Sequence, residues 1–160
     1  MAHIHEKIDF TTSALIVYNN RVLLRMHDKY HMWLSVGGHI ELDEDPNQAL
    51  IREVKEEVGL DIEIIDHRTG DLSSPSSFQI EGRIELIPPR FMNKHSISTT
   101  HEHIDLIYIV RATSDSVQPA AGEPITECHW FTIEELDDLK YDFRNDIRWY
   151  AKTALREAGT

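Results

Sequence analysis

The chain has 160 residues, 41% of them apolar, which suits one core and is too many for a disordered segment. Lys and Arg total 16 against 28 Asp and Glu, a formal charge of −12; this argues against nucleic-acid and anionic-membrane partners but admits a small phosphorylated ligand bridged by metal ions. Cys128 is alone, the start MAHIHEKIDF lacks the apolar run of a secretory signal, and no stretch approaches the roughly 20 apolar residues of a membrane span, so the expectation is a soluble cytoplasmic protein forming one domain over 1–160.

Thr12 to Val17 and Val22 to Leu24 predict two strands, with Asn19-Asn20 between them suited to a tight hairpin turn. HDKYHMW (27–33) reads as a loop carrying aromatics, Trp33 to Val36 as a short strand, and Gly37-Gly38 as a break in regular structure. A helix is expected from Pro46 to Val58, with Asp45 as N-cap, Pro46 at the first helical position, Gln48 completing a capping box and Gly59 as the stop. Asp61 to Asp66 alternates Ile with acids, the period of a half-exposed strand.

SSPSS (73–77) is a polar loop, and 71–103 is the least regular region, with a strand expected around Gly82 to Ile87 that Pro88-Pro89 ends. His103 to Val110 and Glu127 to Phe131 predict strands, PAAGEP (119–124) a loop, Thr132-Ile133-Glu134-Glu135 a helix start, and 142–157 a final helix. Strands and helices intermix without internal repeat, so the fold class is α/β or α+β with a mixed sheet.

On a helical wheel, Ile51, Val54 and Val58 form an apolar stripe flanked by Leu50, and Glu53, Glu56 and Glu57 fall within about 100° of one another beside it. Like charges three or four apart cost about 0.2–0.5 kcal/mol per pair, and Arg52 relieves only part of this through Glu56. An acidic helix face is ordinarily solvated. Here, however, the acids adjoin the apolar edge, a Gly-Gly turn precedes them, and Glu44 is placed to accept from Arg52 if the loop folds back. Three converging carboxylates fit a divalent cation such as Mg²⁺, which takes oxygen ligands and keeps positions for phosphates.

Gly38, Glu44, Arg52, Glu53, Val54, Glu56, Glu57, Gly59 and Leu60 together match every defined position of the Nudix box, and on these residues the chain resembles the Nudix hydrolases. The resemblance implies a mixed β-sheet sandwiched between α-helices. It also implies metal-dependent hydrolysis, with Mg²⁺ or Mn²⁺, of the pyrophosphate linkage of a nucleoside diphosphate derivative, of nucleoside triphosphate or of ADP-ribose and sugar-nucleotide type. It assigns Glu56 and Glu57 as main metal ligands, Glu53 as a third ligand or base, the Gly38 carbonyl to the metal shell, and Arg52 and Glu44 to a supporting pair. Many relatives are dimers, which makes a homodimer one expectation.

Outside the box, Glu102 is the candidate for a catalytic base supplied by a loop, and His95, His101 and His103 are candidates for binding phosphate or metal; the rival reading of KHSISTTHEH is a solvated loop entering a strand. Phe10, Tyr30 and Trp33 are candidates for stacking on a base, although such aromatics more often anchor a core. Arg25 and Arg90 are candidates for reaching phosphates. Trp130 and Cys128 read as structural. Pro75 stands where ADP-ribose-hydrolysing relatives carry a proline, and Phe78 stands near where dinucleoside-polyphosphate hydrolases carry a tyrosine. Two rivals remain at the sequence level: a non-catalytic nucleotide- or metabolite-binding module, disfavoured by the complete set of acids, and a diphosphate isomerase, disfavoured by the intact hydrolase-type box and the distance of Cys128 from it.

Overall fold

The structure is a computed structural model that describes residues 7–68, 82, 84–123 and 126–159. In chain order the elements are β1 (Ile8–Tyr18), β2 (Arg21–His27), β3 (Met32–Leu34), β4 (Val36–His39), α1 (Pro46–Val58), β5 (Ile62–Ile64), β6 (Phe91–Ser96), β7 (Glu102–Ala112), β8 (Cys128–Phe131) and α2 (Asn145–Ala158). One mixed sheet holds all eight strands, with a path β3-β2-β1-β7-β5. β1 and β7 run parallel at its centre and every other pairing is antiparallel.

Side-chain alternation in the central strands sets the layers, because successive residues point to opposite faces. Ala14 and Ile16 of β1 join Leu50, Val54 and Val58 of α1, with Tyr108 and Val110 of β7. Leu15 and Val17 join Ile107 and Ile109 on the other face, where α2 contributes Ile147, Ala151, Ala154 and Leu155. The sheet therefore lies between the two helices. Trp33, Phe131, Tyr141 and Phe143 pack edge to face on the α2 side; the Trp33–Phe131 centroids are 4.9 Å apart.

The long strands each share an edge between two partners. β1 pairs β2 through Ile16–Tyr18 and β4 through Thr11–Ala14 along one side. This split lets the chain turn back along β2 as β3, cross to β1 as β4 and then hand over to α1. Both central residues of the β1–β2 turn, Asn19 and Asn20, have positive φ, as the predicted Asn-Asn hairpin requires.

Helix α1 runs over the predicted span. Asp45 accepts from Asn47 and Gln48 N–H, the Gln48 side chain accepts from Asp45 N–H, and Gly59 closes the helix at φ 71°. A side chain at 59 would also meet the Gln118 carbonyl, so glycine is required there twice over.

Several expectations are corrected. Gly37-Gly38 does not break regular structure but lies inside β4, paired with Ser13 and Thr12. Ile51 is exposed, and the buried face of α1 is Ala49, Leu50, Val54 and Val58. Among the described residues of 82–87 there is no strand; β6 follows Pro88-Pro89 instead, a polar ribbon whose pairing with β7, not its own alternation, makes it a strand. At Thr132 the reciprocal capping contacts with Glu135 form, yet only a 3-10 turn over Glu135–Asp137 follows, because Asp138 turns extended. The SSPSS loop, Pro75 and Phe78 lie outside the described residues.

Candidate active site

The end of β4 and the inner edge of α1 face each other, and Arg52 ties them together. Its Nε donates to Glu44 Oε2 at 3.0 Å and its Nη2 to Glu44 Oε1 at 2.6 Å, a forked pair across the loop between β4 and α1. Nη2 also donates to the His39 carbonyl at 3.0 Å. Nη1 donates to Glu53 Oε1 at 2.8 Å and to Glu56 Oε2 at 3.0 Å. Bonded to Arg52, Glu44 is held below the usual carboxylate range and stays ionised. The planar guanidinium is suited to this task, since it offers donors at fixed angles.

Glu57 lies deeper. Its Oε1 pairs with Arg25 Nη2 at 2.6 Å, and its Oε2 accepts from the Gly37 N–H at 3.0 Å. Burial pushes its carboxyl up to about 7, against the pull of Arg25 and the Gly37 amide and with help from the charge on Glu53. Gly38 is the floor beneath Glu53: a Cβ there would stand 2.5 Å from the Glu53 carboxylate carbon. Lys55 points away, to Asp61 at 2.8 Å.

This donor set fits a hard divalent cation. Arg52 takes one oxygen of Glu53 and one of Glu56 and leaves each a second. Glu57 is costly to keep ionised where it is, and a nearby dication would lower that cost. The close approach of Gly38 also brings backbone to the same carboxylates, and carbonyl plus carboxylate oxygens are the ligands Mg²⁺ and Mn²⁺ prefer.

Of the other expected site residues, few join this cluster. Arg25 does, as the partner of Glu57 through one of its terminal nitrogens. Arg90 forks onto Glu157 at 2.8 Å twice and lies over Phe91, tying β6 to the end of α2 and away from the carboxylate cluster. Trp33 is buried in the aromatic core, edge-on to Phe131 and Tyr141, which uses it as an anchor and not a stacking platform. Glu102 pairs with Lys94 at 3.0 Å and Lys7 at 3.6 Å, and the Lys94 ammonium holds its carboxyl low. Trp130 and Cys128 pack against the α1-side core, and burial pushes the Cys128 thiol up. Phe10 and Tyr30 are partly exposed.

His95 bonds Asn93 at 2.9 Å and its ring stands beside His103. His101 and His103 meet Asp9 and His39, two residues that nothing in the sequence singled out. Sequence spacing carries no signal for such a group: β1, β4 and β7 are neighbours only in the sheet.

The NUDIX domain family model matches residues 9–153. A NUDIX-family hydrolase of known structure from Clostridium perfringens is 34% identical, superposes with a TM-score of 0.82, and is matched over 93% of this chain and 97% of its own. CTP pyrophosphohydrolase of Escherichia coli is 29% identical over 60% of this chain and 71% of that protein. Dihydroneopterin triphosphate diphosphatase of Haemophilus influenzae is 40% identical over 51% of this chain, a match that spans 48% of that enzyme.

Proposed function

This chain belongs to the Nudix hydrolase family, whose members act on acid anhydrides of phosphorus compounds, and from that premise we propose that it is a Mg²⁺- or Mn²⁺-dependent pyrophosphohydrolase of nucleoside triphosphates or close analogues. The observation that carries the reading is the Arg52 bridge, which holds Glu44, Glu53, Glu56 and the β4 backbone in one frame beside the buried Glu57. The triphosphate class is supported by the two curated relatives, both named for triphosphate substrates.

Glu53, Glu56, Glu57 and the Gly38 carbonyl would hold the cation, which when bound screens the polyphosphate charge and supplies Lewis acidity. Arg52 fixes the spacing of Glu53 and Glu56, so that little reorganisation is needed as charge develops on the substrate. Glu44 and the His39 carbonyl in turn fix Arg52. Arg25 and the Gly37 N–H hold the Glu57 carboxylate in one orientation. If Glu53 is not the third ligand, the carboxylate oxygen that Arg52 leaves free would instead take the proton of the attacking water, and Glu102 is the alternative base.

The test is a panel of nucleoside triphosphates, ADP-ribose, sugar nucleotides and dinucleoside polyphosphates, with Mg²⁺ and Mn²⁺, the products resolved by chromatography. Metal-dependent turnover with triphosphates preferred is the expected result, and preference for ADP-ribose would overturn the substrate class. Glu57→Gln keeps the shape and deletes a ligand charge, so turnover should fall at least ~100-fold with the circular dichroism unchanged. Activity near that of the wild type would remove Glu57 from the metal site.

A further inference from the structure

At the ends of β1, β4 and β7, Asp9, His39, His101 and His103 turn four potential ligand atoms toward one point, all within 4.8 Å of one another. Register builds the group. Asp9 and His103 are Cα partners in the parallel β1–β7 pair, and His39 is the partner of Thr11, two residues along β1 from Asp9. His101 sits in the turn before β7, where its carbonyl accepts from the N–H groups of Ile97 and Ser98. None of their side chains belongs to the carboxylate cluster described above; only the His39 carbonyl touches it, through Arg52.

Four potential ligand atoms crowd one point with few protons to share. His101 Nε2 lies 3.2 Å from Asp9 Oδ2 and 3.1 Å from His103 Nε2. A single N–H on His101 serves the carboxylate and the His103 lone pair together only as a three-centre bond, whereas a cation at the common centre would take one lone pair from each group. The third contact, His39 Nε2 to Asp9 Oδ2, is 3.6 Å. Ligand atoms about 2.0–2.1 Å from a tetrahedral zinc lie roughly 3.3–3.4 Å apart; these three separations bracket that spacing, and the remaining pairs lie within 4.8 Å.

We propose that Asp9, His39, His101 and His103 form a second metal site, for a borderline divalent transition metal such as Zn²⁺ or Co²⁺, distinct from the all-oxygen Mg²⁺ or Mn²⁺ site of the Nudix box. Imidazole-rich donor sets select zinc, cobalt, nickel or copper, and carboxylate–carbonyl sets select magnesium and manganese, so the two sites discriminate by chemistry. Asp9 and His39 are partly exposed, which leaves an entry path. The site also has a mechanical link to the box. His39 follows Gly38, and its carbonyl is an anchor of Arg52. A metal on the His39 ring pins the β4 end to β1 and β7 and so stiffens the backbone on which Arg52 hangs.

The experiment is a Co²⁺ titration of chelator-stripped protein in excess Mg²⁺, followed by visible absorption. The expected result is the intense tetrahedral d–d band, saturating at one equivalent and bleached by one equivalent of Zn²⁺. His101→Gln and His103→Gln should abolish the band, His39→Gln should weaken Co²⁺ binding at least tenfold, and Glu56→Gln and Glu57→Gln should leave it in place. His39 is exposed on a strand end, so its variant carries the test if a replacement at 103 fails to fold. Absence of a tetrahedral band in the wild type overturns the site. So does a band that survives all three histidine variants, or one that is lost with Glu57→Gln.

Discussion

At the scale of single residues, the site depends on what is missing from Gly38 as much as on what the acids supply. A methyl group there would stand 2.5 Å from the Glu53 carboxylate. Carboxylate and backbone cannot both stay, and the carboxylate is the softer of the two, since it sits on a rotatable side chain. Gly38→Ala should therefore cost at least ~10-fold in kcat, and weaken Mg²⁺ binding, with little change in melting temperature. Calorimetric Mg²⁺ titration beside steady-state kinetics checks this, and a variant that loses stability but keeps its metal affinity would place the strain in β4. Arg52 shows the converse, a residue whose five donors are all spoken for. A capping box, a helix stop and the spacing Arg52–Glu56 were legible from the residues, because contacts within about four positions on a helix follow from its pitch. That Arg25 would neutralise Glu57 was not, since β2 and α1 meet only through the packed sheet.

Between elements, α2 is held at its end by Glu157. That carboxylate takes Arg90, just before β6, and His67, just after β5, whose Nδ1 lies 3.2 Å away. His67 Nε2 is buried without a described partner, and burial holds the ring's pKa below 6.5, with Glu157 pulling the other way. The unfolded chain thus binds a proton at a pH where folded His67 does not. Its contribution to stability is fully present above about pH 6.5 and is lost as pH falls through the lower folded value. Urea melts between about pH 8 and 5 should show wild type losing more stability than His67→Gln. Parallel curves would show that His67 titrates alike in both states.

A second clip joins the two central strands: buried Asp105 of β7 accepts from Thr11 Oγ1 at 3.0 Å and Ser13 Oγ at 2.9 Å, both on β1. Asp105→Ala strands both hydroxyls and should cost about 1–3 kcal/mol, while Asp105→Asn keeps an acceptor and should recover most of it. Equal stability of the two variants in urea would mean the clip contributes nothing.

Across the whole molecule, a charge of −12 surrounds a site proposed for a polyanion. Long-range repulsion slows encounter, and salt screens it over a Debye length of about 10 Å at 0.1 M. With Mg²⁺ saturating, kcat/KM for a nucleoside triphosphate should rise about two- to fivefold between roughly 10 and 150 mM KCl. A falling profile would mean that the local field at the site is positive and outweighs the net charge. No described helix is long and apolar enough to cross a membrane.

The sequence by itself determined the box and the helix that carries it, from Asp45 at one end to Gly59 at the other, because capping, pitch and the αL stop act over a few residues. It also determined that strands would flank that helix, through the apolar run Thr12 to Val17, the alternation of Asp61 to Asp66 and the strand expected over His103 to Val110. Only the tertiary structure decided which edge of β1 each short strand takes, that polar β6 becomes a strand through β7, and that Arg25 and Arg90 serve Glu57 and Glu157. It also brought Asp9 and His39 to His101 and His103. The physical reason is range: these arrangements join residues tens of positions apart through sheet register, which is set when the faces of the whole sheet are buried together.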